Sequence, residues 1–219
     1  MSNFFRNPLV YELLGSRLLP DLLAENRDLR IWSLGCAEGE EPYSLAMMLA
    51  ELLKKERSFH VEILGTDLDA EAIRRGVKGE YPEGELEEVK KKYLDTFFRR
   101  IPSTGKLISD QRHLYRVQDE IKSMVKLECG DIIRELKQRA ASGRTFHVVL
   151  CRNVLIYMNR ALQEKICGYI SDIIRQGGYF IIGESETIPD TVRNAFIQLF
   201  PGVKIYKKNP KPGPVLFRH

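Results

Sequence analysis

The segment IWSLGCAEGEEPYSLA, residues 31–46, limits what this chain can fold into more than any other stretch. An apolar run, Ile31–Leu34, stops at Gly35. Cys36, Ala37, Glu38 and Gly39 follow, and then Glu40, Glu41 and Pro42 open a helical pattern through Leu45, Ala46, Leu49, Leu52 and Leu53. Strand, glycine-bearing turn and helix in that order form the ligand-cradling corner of a nucleotide-type α/β fold. Gly35 and Gly39 permit positive φ and a close approach of backbone to a ligand. Glu40 and Glu41 stand where a dinucleotide-binding loop would offer N–H groups to a pyrophosphate, and two carboxylates there would repel phosphate. A ligand carrying an ammonium or a sulfonium charge suits the turn better. S-adenosylmethionine carries both.

The rest of the chain keeps an α/β rhythm. Leucines at helical spacing predict a helix over 7–24, with Pro8 in its first turn and Pro20 bending or ending it. Strand 30–35, helix 41–56 and strand 60–66 make one βαβ unit, for which a parallel right-handed crossover is expected. A short helix capped by Asp67 or Asp69 runs to Gly76. A charged helix is expected over Glu83–Tyr93, then an inserted antiparallel β-subdomain over about 95–122, then a return strand at 123–128. Helix 131–141, strand 146–151, helix 160–175, strand 179–183 and helix 190–199 resume the alternation. Strands near 203–207 and 214–218 are expected to close it as a hairpin. The expectation is one domain over 1–219, with 1–24 as its N-terminal helical segment and a mostly parallel twisted sheet.

Composition narrows the function classes. A net charge of +4 without a block of like charges gives no nucleic-acid arm, and the short basic run within Glu88–Lys92 reads as a solvated helix face. Four widely spaced cysteines and four scattered histidines argue against a zinc site or a disulfide framework, so no metal is expected. No apolar stretch approaches the roughly 18 to 20 residues that span a bilayer, and the first residues lack a signal-peptide pattern. A cytoplasmic monomer without direct membrane insertion is the resulting expectation.

Four polar positions fall just beyond predicted strands: Glu41, Asp67, Asp131 and Asn153, the last beside Arg152. Ligands of open α/β sheets bind outside the carboxyl ends of the strands, so the four are expected to converge. An acid at Asp67 can accept from ribose hydroxyls, with Asp69 left to cap the following helix. Asp131 is placed to face an adenine edge. Tyr157 stands four residues past Asn153. Phe4 and Phe5 should fill a pocket rather than stay in water, and that would bring Arg6 over the cleft, where a guanidinium can hold a carboxylate.

FFR near the start, GCAEGEEPYSLA, GTDLDAEAI, CRNVLIYM and GGYFIIGESE together resemble, in order, the blocks of CheR-type chemotaxis receptor methyltransferases. The resemblance covers nearly the whole chain. It implies a Rossmann-like, class I S-adenosylmethionine-dependent methyltransferase fold. It also implies methyl transfer to glutamate carboxylates in the cytoplasmic domain of chemoreceptors, leaving S-adenosylhomocysteine. By the same resemblance Glu41 binds the methionine amino group, Asp67 the ribose, and Asp131 and Ile132 flank the adenine. Gly35 lies in the cofactor turn, Arg152 and Asn153 line the methionine end, and Ser2 and Arg6 are cofactor-proximal. Arg6 and Tyr157 stand nearest the transferred methyl and are the expected catalytic pair. Two departures are expected: the family's basic N-terminal helical domain is missing ahead of the motifs, either because this is a fragment or because a catalytic core relies on another module, and the inserted subdomain is longer, roughly Arg99–Arg116. The competing expectation is a catalytically weak S-adenosylmethionine sensor or docking module. A nucleic-acid or small-molecule amine methyltransferase is disfavoured, because strand 146–151 ends in CRNV and not in an N/D-P-P-Y/F motif.

Overall fold

The structure, a computed structural model, describes residues 2–54, 58–102 and 113–210. In chain order the elements are α1 (Pro8–Leu13), a π-helical turn (Leu14–Leu18), α2 (Leu19–Glu25), β1 (Asp28–Leu34), α3 (Glu40–Leu52), β2 (His60–Asp67), α4 (Ala70–Lys78) and β3 (Glu80–Pro82). These are followed by α5 (Lys91–Phe97), β4 (Phe98–Ile101), β5 (Leu114–Val117), α6 (Asp119–Lys122), β6 (Val125–Cys129), α7 (Ile132–Ser142) and β7 (Phe146–Cys151). The chain then continues through α8 (Arg160–Ile173), β8 (Ile174–Ile182), α9 (Asp190–Arg193), β9 (Phe196–Phe200) and β10 (Val203–Lys208).

Seven strands form one sheet in the order β6-β2-β1-β7-β8-β10-β9. The first five are parallel, and β10 runs antiparallel to both β8 and β9. From β1 the chain winds outward to β2 and β6, then crosses back to β7 and β8. The switch point therefore lies between β1 and β7, where open α/β sheets hold their ligands. Register sharpens this, because Leu34 pairs with Thr66 on one side and Cys151 on the other, while Asp67 pairs with Cys129. The ends of four adjacent strands thus stop in line.

Alternation along the strands builds a core on each face. Leu29, Ile31, Ile63, Val148 and Leu150 pack with helices α1 to α3, and Trp32, Leu34, Leu64, Val149 and Cys151 pack with α7 and α8. Strands buried on both sides read as continuous apolar runs, as FHVVLC does. Ser33 is a polar interruption in such a run, fully buried.

A second, three-stranded antiparallel sheet has the order β3-β5-β4. Its first strand, Glu80–Pro82, comes from before the segment expected to form the insertion, and residues 103–112 of that segment lie outside the described residues. The sheet docks on the Gly35–Gly39 turn through Tyr81, fully buried, whose hydroxyl donates to the Glu38 carbonyl at 2.6 Å.

One open alternative is decided and three local expectations are corrected. Pro20 does not end the first helix. The preceding π-helical turn, closed by the Leu19 N–H on the Leu14 carbonyl, widens the coil and makes room for the proline ring. The charged helix at Glu83–Tyr93 is a 3₁₀ turn (Glu83–Glu85) and a bend that buries Leu86 and Val89, with the helix only from Lys91. The helix expected to 175 yields at Ile174, which pairs with Phe146, and the extra residues bulge out through Gly177 at φ 78°. The helix expected over 190–199 is α9 followed by strand β9, because Phe196 packs on Phe180 (5.2 Å) and the FIQLF run pairs with β10. The closing hairpin is therefore β9–β10, and the strand expected at 214–218 lies outside the described residues.

His147 begins β7, where its Nδ1 accepts the Arg30 N–H (3.0 Å) and Arg175 reaches Nε2 (2.7 Å). Burial, and then the Arg175 and Arg30 charges, push the imidazole down from 6.5 to about 4. The unfolded chain takes up the proton first, so stability from this group is full above pH 6.5 and is lost as pH falls toward 4. Urea unfolding should lose on the order of 1–3 kcal/mol more across that window in the wild type than in His147→Asn. Equal losses in both proteins would refute the assignment.

Candidate active site

The Gly35–Gly39 turn is built for close approach. Gly35 (φ 71°) and Gly39 (φ 91°) are left-handed, and a Cβ at Gly35 would collide with the Val154 side chain. Ala37, at φ 50°, shares that conformation without being glycine. Its cost is offset by the Asp67 carboxylate, which accepts from Ala37 N–H at 2.8 Å and from Asp69 N–H at 2.9 Å. Asp69 caps α4 by accepting from the Glu71 and Ala72 N–H groups, as the sequence suggests. Asp67 is nonetheless not left free: it braces the turn.

Glu41 and Glu40 part company within one helical step. Glu41 lines a narrow cleft with Ser2, Asn3, Arg6, Gly35, Arg152 and Asn153. Its Oε1 accepts from the Ser33 hydroxyl (2.8 Å) and its Oε2 from Arg152 Nη1 (3.0 Å). Glu40 is buried away from that cleft, 4% exposed, with one carboxyl oxygen unpartnered. Burial, with the Glu38 and Glu85 charges adding to it, pushes Glu40 up from 4.5 to about 7. The turn therefore does not offer two equal anions, because Glu40 is half-neutral near neutral pH and Arg152 balances Glu41. A carboxylate has lone pairs for about four donors, so Glu41 keeps room for a ligand ammonium.

Arg152 does more than line the site. Its guanidinium also donates to the Arg6 carbonyl (2.8 Å) and to the Asn7 side chain, and it lies 5.8 Å over the Tyr11 ring. Burial would lower its pKa, but the Glu41 charge and hydrogen bond, together with Tyr11 and Glu184, hold it above the usual arginine range. The segment it grips is bent, with Phe5 at φ 52° and Asn7 at φ 61°. Aromatic packing holds the same segment down. Phe4 meets Tyr81 (4.8 Å) and Phe98 (5.5 Å) edge-on, and Phe5 meets Tyr11 (5.2 Å) and Tyr93 (5.3 Å). Each buried phenylalanine contributes roughly 1.5–3 kcal/mol. The Phe5 N–H donates to Ser44 on α3. Arg6 is thus carried to the cleft, and among the described residues its guanidinium has no ion-pair or hydrogen-bond partner.

The other expected residues sit around this centre. Asp131 caps α7 by accepting from the Arg134 N–H, with Ile132 opening that helix. The Gly130 N–H bonds the Asp67 carbonyl, which sets the ends of β6 and β2 next to each other. Asn153 adopts φ 58°. Tyr157 ends a 3₁₀ turn (Leu155–Tyr157), is 83% exposed, and does not line the cleft.

Four contributors escaped the sequence reading. Ser33 was detectable as the one hydroxyl in the otherwise apolar run Ile31–Leu34. Leu68, 70% exposed beside Asp67, could have been noticed as an apolar residue at a polar rim. Asn7 gave no local signal, since Arg152 lies 145 residues away, and Glu186 stood in the GGYFIIGESE block without an assigned role, since four of its five donors lie thirty or more residues upstream. Among the described residues no cluster of three or more His, Cys, Asp or Glu could hold a metal, and no helix is long and apolar enough to cross a membrane. The four cysteines are free thiols. Cys151 is fully buried, and burial raises its thiol well above the ordinary value, as suits a small packed apolar side chain.

Residues 1–203 match the family model described as CheR methyltransferase, SAM binding domain. The chain is 31% identical over 212 residues to a chemotaxis protein methyltransferase of Borreliella burgdorferi, covering 94% of this chain and 69% of that protein. It is 33% identical over 192 residues to one of Listeria monocytogenes, covering 86% and 65%. With chemotaxis protein methyltransferase 1 of Pseudomonas aeruginosa it shares 31% over 217 residues, covering 93% and 72%. The chain thus spans about two thirds of the length of these relatives, and just under two thirds of the Listeria protein.

Arg152→Met keeps the length of the side chain but strands Glu41 as a buried, unpaired charge. Urea unfolding should show a loss of about 3–5 kcal/mol, and Glu41→Gln in the same chain should restore part of it. A loss below about 1 kcal/mol would mean the pair is a bystander.

Proposed function

This chain belongs to the CheR methyltransferase family, and from that premise we propose that it transfers the methyl group of S-adenosylmethionine to glutamate side chains in the cytoplasmic domains of bacterial chemoreceptors. Use of S-adenosylmethionine follows from the family, and the residues present fit that cofactor. Gly35 lines the cleft beside Glu41, and Glu41 is held open for an ammonium by Ser33 and Arg152. Asp67 and Leu68, side by side where β2 ends, suit a ribose and the apolar face of an adenine. Asp131 and Ile132 suit the adenine edge, and Asn153 and Ser2 the methionine end.

The acceptor assignment rests on one observation: the unpaired Arg6 guanidinium lines the same cleft as Glu41. The cofactor supplies an electrophilic methyl on a cationic sulfur. A glutamate carboxylate, with an ordinary pKa near 4.3, is already an anion at neutral pH, so the protein need not remove a proton. Its work is to orient the carboxylate and exclude water, and well-oriented reactants can gain about 7–11 kcal/mol from positioning alone. Arg6 supplies direction to the acceptor oxygen, and Tyr157, exposed on the neighbouring turn, supplies a hydroxyl from the receptor side. Too close an ion pair at Arg6 would blunt the nucleophile, so its role is aim more than neutralisation. Such an enzyme acts as a cytoplasmic monomer, and nucleic acid is not its substrate.

The test is transfer of labelled methyl from S-adenosylmethionine to a receptor cytoplasmic fragment, scored as base-labile ester. Arg6→Ala should lower kcat by about a hundredfold while S-adenosylhomocysteine affinity changes by less than about threefold. Loss of cofactor affinity with no separate effect on kcat would overturn the role given to Arg6. Binding of S-adenosylhomocysteine without transfer to any receptor fragment would overturn the acceptor assignment and favour a sensor module.

A further inference from the structure

Glu186 stands in the turn after β8 and is 3% exposed. Its Oε2 accepts from the N–H groups of Gly183 (2.6 Å) and Asn153 (3.0 Å). Its Oε1 accepts from those of Val154 (2.8 Å), Leu155 (2.7 Å) and Ile156 (3.3 Å). Four of these five donors are consecutive residues of the loop after β7. That loop begins at Asn153, in a left-handed conformation unusual for a non-glycine residue, and ends at Tyr157. A polar group in this setting is costly to bury unless its lone pairs are filled, and here the loop wraps its own backbone around the carboxylate to fill them.

We infer that Glu186 is a positioning residue for the methyl-transfer site: it holds the Asn153–Ile156 loop in the conformation that puts Asn153 at the cofactor and Tyr157 at the acceptor. The inference rests on the function proposed above for those two residues. Glu186 itself does not line the cleft. It acts through the loop, because successive N–H groups converging on one carboxylate fix the φ and ψ of every residue between them. Glutamine cannot take its place. The amide offers one acceptor oxygen, and its nitrogen would face either two or three backbone donors.

Calorimetric titration with S-adenosylhomocysteine tests this without using the acceptor, and methyl transfer to the receptor fragment adds kcat. Folded Glu186→Gln should lose about tenfold to a hundredfold in cofactor affinity and comparably in kcat, with Glu186→Asp recovering part of each. Asn153→Ala should weaken binding in the wild type but add little in the Glu186→Gln background, since the loop is already displaced. Gly183→Ala covers the case in which Glu186→Gln does not fold. Gly183 is not left-handed, and its new Cβ would stand 2.8 Å from Glu186 Oε2 and 3.0 Å from the Asn153 nitrogen. It should push the carboxylate and loop apart and weaken binding in the same direction.

A folded Glu186→Gln with wild-type affinity and kcat and only a lower Tm overturns the inference, as does full additivity with Asn153→Ala. If Asn153→Ala is itself silent, the cofactor reading of Asn153 and this inference fall together. If Asn153→Ala weakens binding while Glu186→Gln and Gly183→Ala do not, the inference alone falls.

Discussion

The Glu41–Arg152 ion pair is the contact on which the rest of the site depends. It joins the start of α3 to the end of β7 across the switch point of the sheet, and both side chains are nearly fully withdrawn from water. A buried pair of this kind is weak evidence of stability, because desolvating two charges offsets most of their attraction. Its worth is geometric. With Ser33 on the other oxygen, Glu41 has one orientation, and with Arg6 and Asn7 on the other face, Arg152 has one as well. The N-terminal segment is thereby locked to the cleft at the point where Arg6 leaves it.

A second theme is the use of acids as backbone organisers. Asp67 accepts from Ala37 and Asp69, Asp131 from Arg134, and Glu186 from five N–H groups. Each of these bonds holds a turn in a shape that the chain would not keep unaided. Counting carboxylates along the rim therefore overstates its negative field, since Arg152 cancels Glu41 and burial keeps Glu40 half-neutral. What such a rim can offer a cationic ligand is set by where its free lone pairs point, and less by how many charges are present.

Much of this was legible in the residues. The IWSLGCAEGEEPYSLA run announced strand, turn and helix, and FHVVLC announced a strand buried on both faces, because local alternation and glycine placement carry that information directly. Phe4 and Phe5 announced a pocket, because two adjacent large aromatics have no reason to stay in water. What failed locally failed for identifiable causes. The FIQLF run is short enough to fit a helix or a strand, and only pairing with β10 decides it. Ile174 leaves its helix because Phe146 waits on the neighbouring strand. Pro20 was tolerated because a wider turn could form upstream.

Sequence alone therefore determined the α/β class, the turn between Gly35 and Gly39, and the polar residues that follow each strand, since all of these are set by neighbours along the chain. The tertiary structure alone decided which acids face the cleft, that Arg152 is a clamp, and that Glu186 shapes a loop more than thirty residues upstream. The physical reason is that a hydrogen bond or an ion pair is specified by two partners in space. For Arg152 and Glu41, 111 residues apart, no local pattern can encode the meeting; the sheet does.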